Sequence, residues 1–124
     1  MSFYEFNPTY AEPFSLIHPL KVNQVMELVN DTTMPEHIGC VILFGSSLDL
    51  TCMSASDVDL YVISDDNKKS YEYLYKRCKS LKIKADILVS DTETFMEDAL
   101  DQNSVERQVL ERGIVVYEKK SHIA

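Results

Sequence analysis

The sequence predicts an α/β (α+β) domain, a mixed sheet of four to five strands with helices mainly on one face. Three observations lead there. Short apolar or alternating runs recur at 40–44, 57–64, 82–89 and 114–117, each of strand length. Between them lie stretches whose apolar residues repeat every three to four positions, as on one side of a helix. The resulting order of helix, strand, strand, helix, strand, helix, strand is that of sheet and helices sharing one core.

Residues 1–13 show no sustained period, and Pro8 and Pro13 interrupt them; an irregular arm is expected. Pro19 suits a first helical position. Val22, Val25, Met26 and Val29 then follow at helical spacing, with an end expected near 30–33, before Met34-Pro35. Gly39 opens the next element, and Cys40 to Phe44 is a continuous apolar run of the kind found in buried central strands. Gly45-Ser46 ends it. Residues 47–56, with Ser47, Thr51, Ser54 and Ser56, suit a loop or short helical turn.

Asp57 to Ser64 reads as the second strand, and Asp65-Asp66-Asn67 as a turn and helix start. Tyr71, Leu74, Tyr75, Cys78 and Leu81 repeat at helical spacing. Tyrosines among basic residues can stack on bases, but their spacing fits a core-facing stripe better. Lys82 to Val89 alternates, with Ile83, Ala85, Ile87 and Val89 on one face and Lys82, Lys84, Asp86 and Leu88 on the other. Ser90 or Thr92 can cap a following helix, whose apolar side is Phe95, Met96, Ala99 and Leu100. Asn103 with Glu106 resembles a capping box that restarts it. Gly113 is a natural stop, Ile114 to Tyr117 a last strand, and 119–124 a loose tail.

The 124 residues fit one domain, 1–124, with no repeat or linker. Hydrophobic residues make up 45% and charged residues 26%, the balance of a soluble globular protein. No run of about 18 apolar residues occurs, so no transmembrane helix and no membrane partner are expected. The N-terminus lacks the basic and apolar regions of a signal peptide, so a cytoplasmic protein is expected. Three cysteines without C-x-x-C spacing argue against a disulfide framework or a zinc site; Cys40 and Cys78 read as core thiols. His18, His37 and His122 are isolated and carry no metal role.

A net charge of -8 disfavours direct nucleic-acid binding. The charge is uneven. Lys68 to Lys84 holds seven basic residues and one acid, a net +6, which leaves -14 for the rest. That window is either a solvated helix face or a local field that attracts phosphates or an acidic partner.

The chemistry concentrates at Asp57-Val58-Asp59. Aspartate is depleted in strands, and a carboxylate in an apolar run needs a partner. Strand alternation puts Asp57 and Asp59 on one face, where like charges repel. A cation between them removes that penalty. Carboxylate oxygens suit Mg²⁺ or Mn²⁺, and carboxylates on adjacent strands can clamp metal for an in-line displacement at phosphorus. Asp86 becomes a third ligand if its strand is a neighbour. Gly45 lets a phosphate approach the backbone closely, and Ser46 adds a hydroxyl and a backbone N–H.

Gly45-Ser46, ten residues, then Asp57-Val58-Asp59 resembles the G-S-x10-D-x-D signature of the nucleotidyltransferase superfamily that includes DNA polymerase beta and kanamycin nucleotidyltransferase. The short length resembles its minimal nucleotidyltransferases, the small partners of HEPN proteins. Ala85-Asp86-Ile87-Leu88 is placed like the family's third acid, and VERQVLERGIVVYE (105–118) is similar to its closing helix-glycine-strand. The resemblance covers about residues 20 to 118. It implies a polymerase beta-like fold, Gly45 and Ser46 holding the nucleoside triphosphate, and Asp57, Asp59 and Asp86 as metal-binding and catalytic residues. Mg²⁺ (or Mn²⁺) is the implied cofactor and ATP, or another NTP, the implied substrate. The implied reaction moves AMP (NMP) to a hydroxyl, in minimal members a tyrosine of a HEPN toxin, with the family member as antitoxin.

Where relatives often carry Ala-Arg-Gly just after Gly-Ser, this chain has Leu48-Asp49-Leu50. Asp49 would repel a triphosphate. Two readings therefore stand: a metal-dependent nucleotidyltransferase, favoured by the three aspartates, and a catalytically weak binding module of the same fold that complexes a partner, favoured by Asp49 and Leu50. Both expect a HEPN-like partner or a homo-oligomer to complete the site.

Overall fold

The computed structural model describes residues 17–29, 34–48, 52–53 and 56–119. The expected arm at 1–13, most of the expected tail at 119–124, and Asp49, Leu50, Thr51 and Ser54 lie outside the described residues. The elements run α1 (Pro19–Val29), β1 (Ile38–Phe44), a 3-10 turn (Gly45–Leu48), β2 (Val58–Ser64), α2 (Asn67–Ser80), β3 (Ala85–Ser90), α3 (Thr92–Asp98), α4 (Val105–Arg112) and β4 (Ile114–Glu118). The strands form one mixed sheet in the order β3-β2-β1-β4. β1 pairs antiparallel with β2 and β4, while β2 and β3, joined through α2, are parallel. This is the mixed α/β sheet that the sequence predicts, with four strands among the described residues. No described helix is long and apolar enough to cross a membrane.

Alternation splits the core in two. Val41, Leu43, Val58, Leu60, Val62, Ile87 and Val116 face one side, where Val25, Leu28 and Val29 of α1 and Leu74 and Cys78 of α2 cover them. Cys40, Ile42, Phe44, Tyr61, Ile63 and Val115 face the other, against Phe95 of α3 and Val109 of α4. The two long helices thus share one face, and the two short ones add cover to the second. The three cysteines are buried and free; burial pushes the Cys78 thiol up to about 11, as desolvation does to any group that charges on losing a proton.

Several side chains depart from their expected places. Tyr71 and Tyr75 lie outward, while Ser70, Leu74 and Cys78 form the buried side of α2. Lys68, Lys69, Lys76 and Lys79 hold the outer half-turns in water, and the tyrosines share that side because a ring with a hydroxyl can remain half-solvated. Met26 and Leu100 are likewise exposed, and Leu28 takes the core position on α1. The caps also differ. Asp91 caps α3 by accepting the Thr94 N–H, and Ser104 caps α4 by accepting the Arg107 N–H. Lys82 sits in the left-handed region at φ 59°, so β3 starts three residues later than its alternating pattern. Gly113 has an extended φ of -66°. Glycine is required there by space, since a Cβ would come within 2.5 Å of the Val109 carbonyl oxygen and 2.6 Å of the Ile42 side chain.

Candidate active site

Three strands meet at one end of the sheet. β1 runs out at Phe44, which pairs with Asp59 of β2. Asp59 in turn pairs with Asp86 of β3. Neighbouring strands lie about 4.8 Å apart, and residues opposite each other in a ladder project to the same face. The carboxylates of Asp59 and Asp86 therefore stand side by side, on the face that also carries Tyr61. Asp57 precedes the first residue of β2 by one and is exposed. By alternation it belongs to the same face.

The electrostatics follow from this placement. The Asp59 carboxyl is raised above its ordinary value, first by burial, then by the negative charge of Asp86 and then by that of Asp57. Two flanking carboxylates disfavour a third charge between them. Among the described residues no group of three or more His, Cys, Asp or Glu is placed to hold a metal ion, so the three carboxylates share a face without converging on one point.

Gly45 is built against this cluster. Its φ of +77° lies in the left-handed region, which glycine enters without a Cβ penalty. A Cβ on Gly45 would also run into the Asp59 carboxylate. The backbone at Gly45 is thus pressed against the central acid, leaving a narrow cradle at the strand end. Ser46 and Ser47 follow in the 3-10 turn, and Ser47 is buried with an Oγ that has no hydrogen-bond partner among the described residues.

Periodicity gives no sign of what holds this corner. The backbone N–H of His18, just before α1, donates to the Ser47 carbonyl at 2.7 Å. Lys21, in the first turn of α1 and almost completely buried, donates from Nζ to the Ser56 carbonyl at 2.5 Å. The start of α1 therefore fastens both ends of the segment between Gly45 and Asp57. Val58 is fixed by its N–H to the Lys84 carbonyl at 2.8 Å. Lys21 lies one residue before the apolar stripe of α1, and a lysine there reads as a surface charge; only its contact with a carbonyl 35 residues away reveals it.

Tyr61, two residues beyond Asp59, donates to Glu106 Oε2 at 2.8 Å and lies 2.9 Å from Ser90 Oγ. Its ring meets Phe95 edge-on at 5.2 Å between centroids. Burial raises its pKa. This network joins β2, β3, α3 and α4 on the face that carries the site. The basic helix α2 lies across the sheet, so its charge does not line the carboxylates. A cavity of about 520 Å³ among Glu36, His37, Ser64, Asp65, Asp91 and Lys119 sits at the far end, where β1 begins and β2 ends.

Comparison with known proteins adds three findings. The sequence profile of a family described as "Polymerase beta, Nucleotidyltransferase" matches residues 23–122. No curated protein matches the chain. Among solved structures the chain is similar to one from a complex of tri-AMPylated Shewanella oneidensis HEPN toxin with MNT antitoxin. That likeness has 19% identity over 78% of this chain and 69% of the other, with a TM-score of 0.44.

Proposed function

The chain belongs to the polymerase beta nucleotidyltransferase family, and on that premise we propose that it transfers a nucleoside monophosphate, AMP from ATP, to a hydroxyl on a partner protein. The observation that carries this reading is the register of β2 and β3, in which Asp59 and Asp86 are direct neighbours beside Gly45. Repulsion among Asp57, Asp59 and Asp86 fits a site that takes up a divalent cation, Mg²⁺ or Mn²⁺. Such an ion would supply positive charge to offset that of the triphosphate.

The residues then divide the work. Asp57 and Asp59 would hold the metal, with Asp86 completing the set once the three side chains turn toward one ion. Gly45 and Ser46 receive the triphosphate at the strand end beside Asp59, the missing Cβ being what lets that backbone lie against the Asp59 carboxylate. Asp86 accepts the proton of the incoming hydroxyl. The acceptor oxygen bonds to the α-phosphorus, the bond from that phosphorus to the β-phosphate bridge breaks, and pyrophosphate leaves. The partner we propose is a HEPN-like protein in the cytoplasm, with the acceptor hydroxyl on a tyrosine and this chain as its antitoxin. That part rests on the sequence resemblance to minimal nucleotidyltransferases. A second reading, a catalytically weak module that works by complexing its partner, is favoured by Asp49 and Leu50 where relatives carry Arg-Gly.

Two measurements test this. Mg²⁺ or Mn²⁺ with ATP should raise the melting temperature by mass action, and Asp57→Ala with Asp59→Ala should remove the shift; a shift that persists sinks the metal assignment. ATP labelled at the α-phosphate, incubated with a co-purified partner, should leave label on that partner. A complex that forms without label transfer favours the binding module.

A further inference from the structure

The outer side of α2 is a ridge of two stacked rings among lysines. Tyr71 and Tyr75 are 45% and 44% exposed. Their ring centroids lie 6.0 Å apart at an interplanar angle of 16°, and Lys79 Nζ is 5.2 Å from the Tyr75 ring. Lys68 and Lys76 are exposed on the same helix, whereas Lys69 is set against Asp66 at 3.8 Å. A helix of 14 residues presents such a ridge over about 20 Å. Exposed tyrosines are enriched at interaction surfaces, and a cation is attracted to the face of an aromatic ring.

The opposite face of the sheet carries the counterpart. Residues 91–112, which hold α3 and α4, contain seven acids and two bases, a net -5. Within them Leu100 is 76% exposed and Val105 41%, with Glu97, Asp98 and Asp101 exposed close by in sequence. The ridge has one acid, the exposed Glu72; this segment offers several carboxylates around bare aliphatic side chains. Because α2 and the α3–α4 pair cover opposite sides of one sheet, the two cannot meet within a molecule.

We propose that they meet between molecules: the α2 ridge of one copy docks on the α3–α4 face of a second copy, head to tail. The tyrosines cover Leu100 and Val105, and the lysines face the surrounding carboxylates. An acidic foreign protein or a nucleic acid would match the charge alone. A second copy matches the charge and also supplies the exposed aliphatic pair. The net charge of -8 opposes unspecific approach, while pairing across one face acts within the Debye length of about 10 Å at 0.1 M salt. The two patches are different, so the contact is heterologous and leaves one free surface at each end. This inference stands apart from the proposed chemistry.

Sedimentation velocity of the full chain tests it. Association should grow with concentration at about 0.1 M salt and be lost near 1 M, where the Debye length is about 3 Å. Lys76→Glu with Lys79→Glu spoils the ridge, and Asp98→Lys with Asp101→Lys spoils the acidic face. Each should weaken self-association roughly tenfold or more, about 1.4 kcal/mol. Tyr71→Ser with Tyr75→Ser should do the same without a change of charge. An equimolar mixture of the two charge variants should associate again, since the intact ridge of one meets the intact face of the other and the reversed charges of the two spoiled surfaces also complement each other. All substituted side chains are exposed, and unchanged melting temperatures verify folding. A wild-type monomer at every concentration, unaffected association in the variants, or no association in the mixture overturns the proposal. So does a labelled oligothymidine that binds the monomeric chain through the ridge, which would assign the surface to nucleic acid.

Discussion

Replacing Gly45 by alanine probes the contact at the centre of the site. Two costs are expected. A residue with a Cβ at φ +77° is strained by about 1–2 kcal/mol. The new Cβ also meets the Asp59 carboxylate, and overpacking costs about 1–3 kcal/mol. The obstacle is the end of a short side chain that can turn aside, so the lower bound of about 1 kcal/mol applies. The sum is about 2–3 kcal/mol. Unfolding entropy is about 2.1 cal/mol/K per residue, or about 260 cal/mol/K for 124 residues, so each kcal/mol lowers Tm by about 4 °C. Gly45→Ala should lower Tm by about 8–12 °C. In an Asp59→Ala background only the backbone strain remains, and the same change should cost about 4–8 °C. Thermal melts of the four proteins in the cycle give the coupling directly. Equal losses in both backgrounds would show that Gly45 and Asp59 do not touch, and would remove the cradle from the proposed site.

Three further outcomes are expected. Asp59 is raised in the fold from 3.8, so at pH above that value the folded chain binds more protons than the unfolded one and stability falls as pH rises. Asp59→Asn should therefore raise Tm at pH 7 in metal-free buffer, with the gain vanishing below pH 3.8; a gain that persists in acid would contradict the repulsion. Tyr61→Phe leaves the Glu106 carboxylate without its buried donor and should cost about 1–2 kcal/mol in a denaturant melt, whereas an unchanged midpoint would mean that water replaces the hydroxyl freely. Lys21→Met removes the tie to Ser56; limited proteolysis should cut between Gly45 and Asp57 faster than in the wild type, and equal rates would show that His18 alone secures the segment.

The elements were legible in the sequence because the core residues that define them alternate or repeat at the right period. Leu60, Val62, Leu74 and Phe95 all fall where their patterns put them and are buried. Pattern failed where a side chain has two natures. Tyr71 and Tyr75 count as apolar in a helical stripe, yet Ser70 is the residue that faces inward, tied to Ser64 Oγ at 2.5 Å and His37 Nδ1 at 2.7 Å. Ser70 and Lys21 are polar residues buried by distant partners, and such partners leave no periodic trace. The site was half legible. Gly45, Asp57, Asp59 and Asp86 stand out as residue types that strands and strand ends rarely hold, but that Asp59 lies opposite Asp86 depends on which strands pair, and periodicity does not state adjacency.

That pairing has a consequence for folding. In a parallel ladder a slip of one residue turns every side chain of the moving strand to the other face. Shifting β3 by one position against β2 would drive Asp86 and Leu88 toward α2 and expel Ile87 into solvent. The misregistered chain would bury a bare carboxylate and lose its aliphatic anchor together. The same alternation that brings the acids into line therefore proofreads their alignment: a molecule whose carboxylates miss each other is also one whose core has not closed.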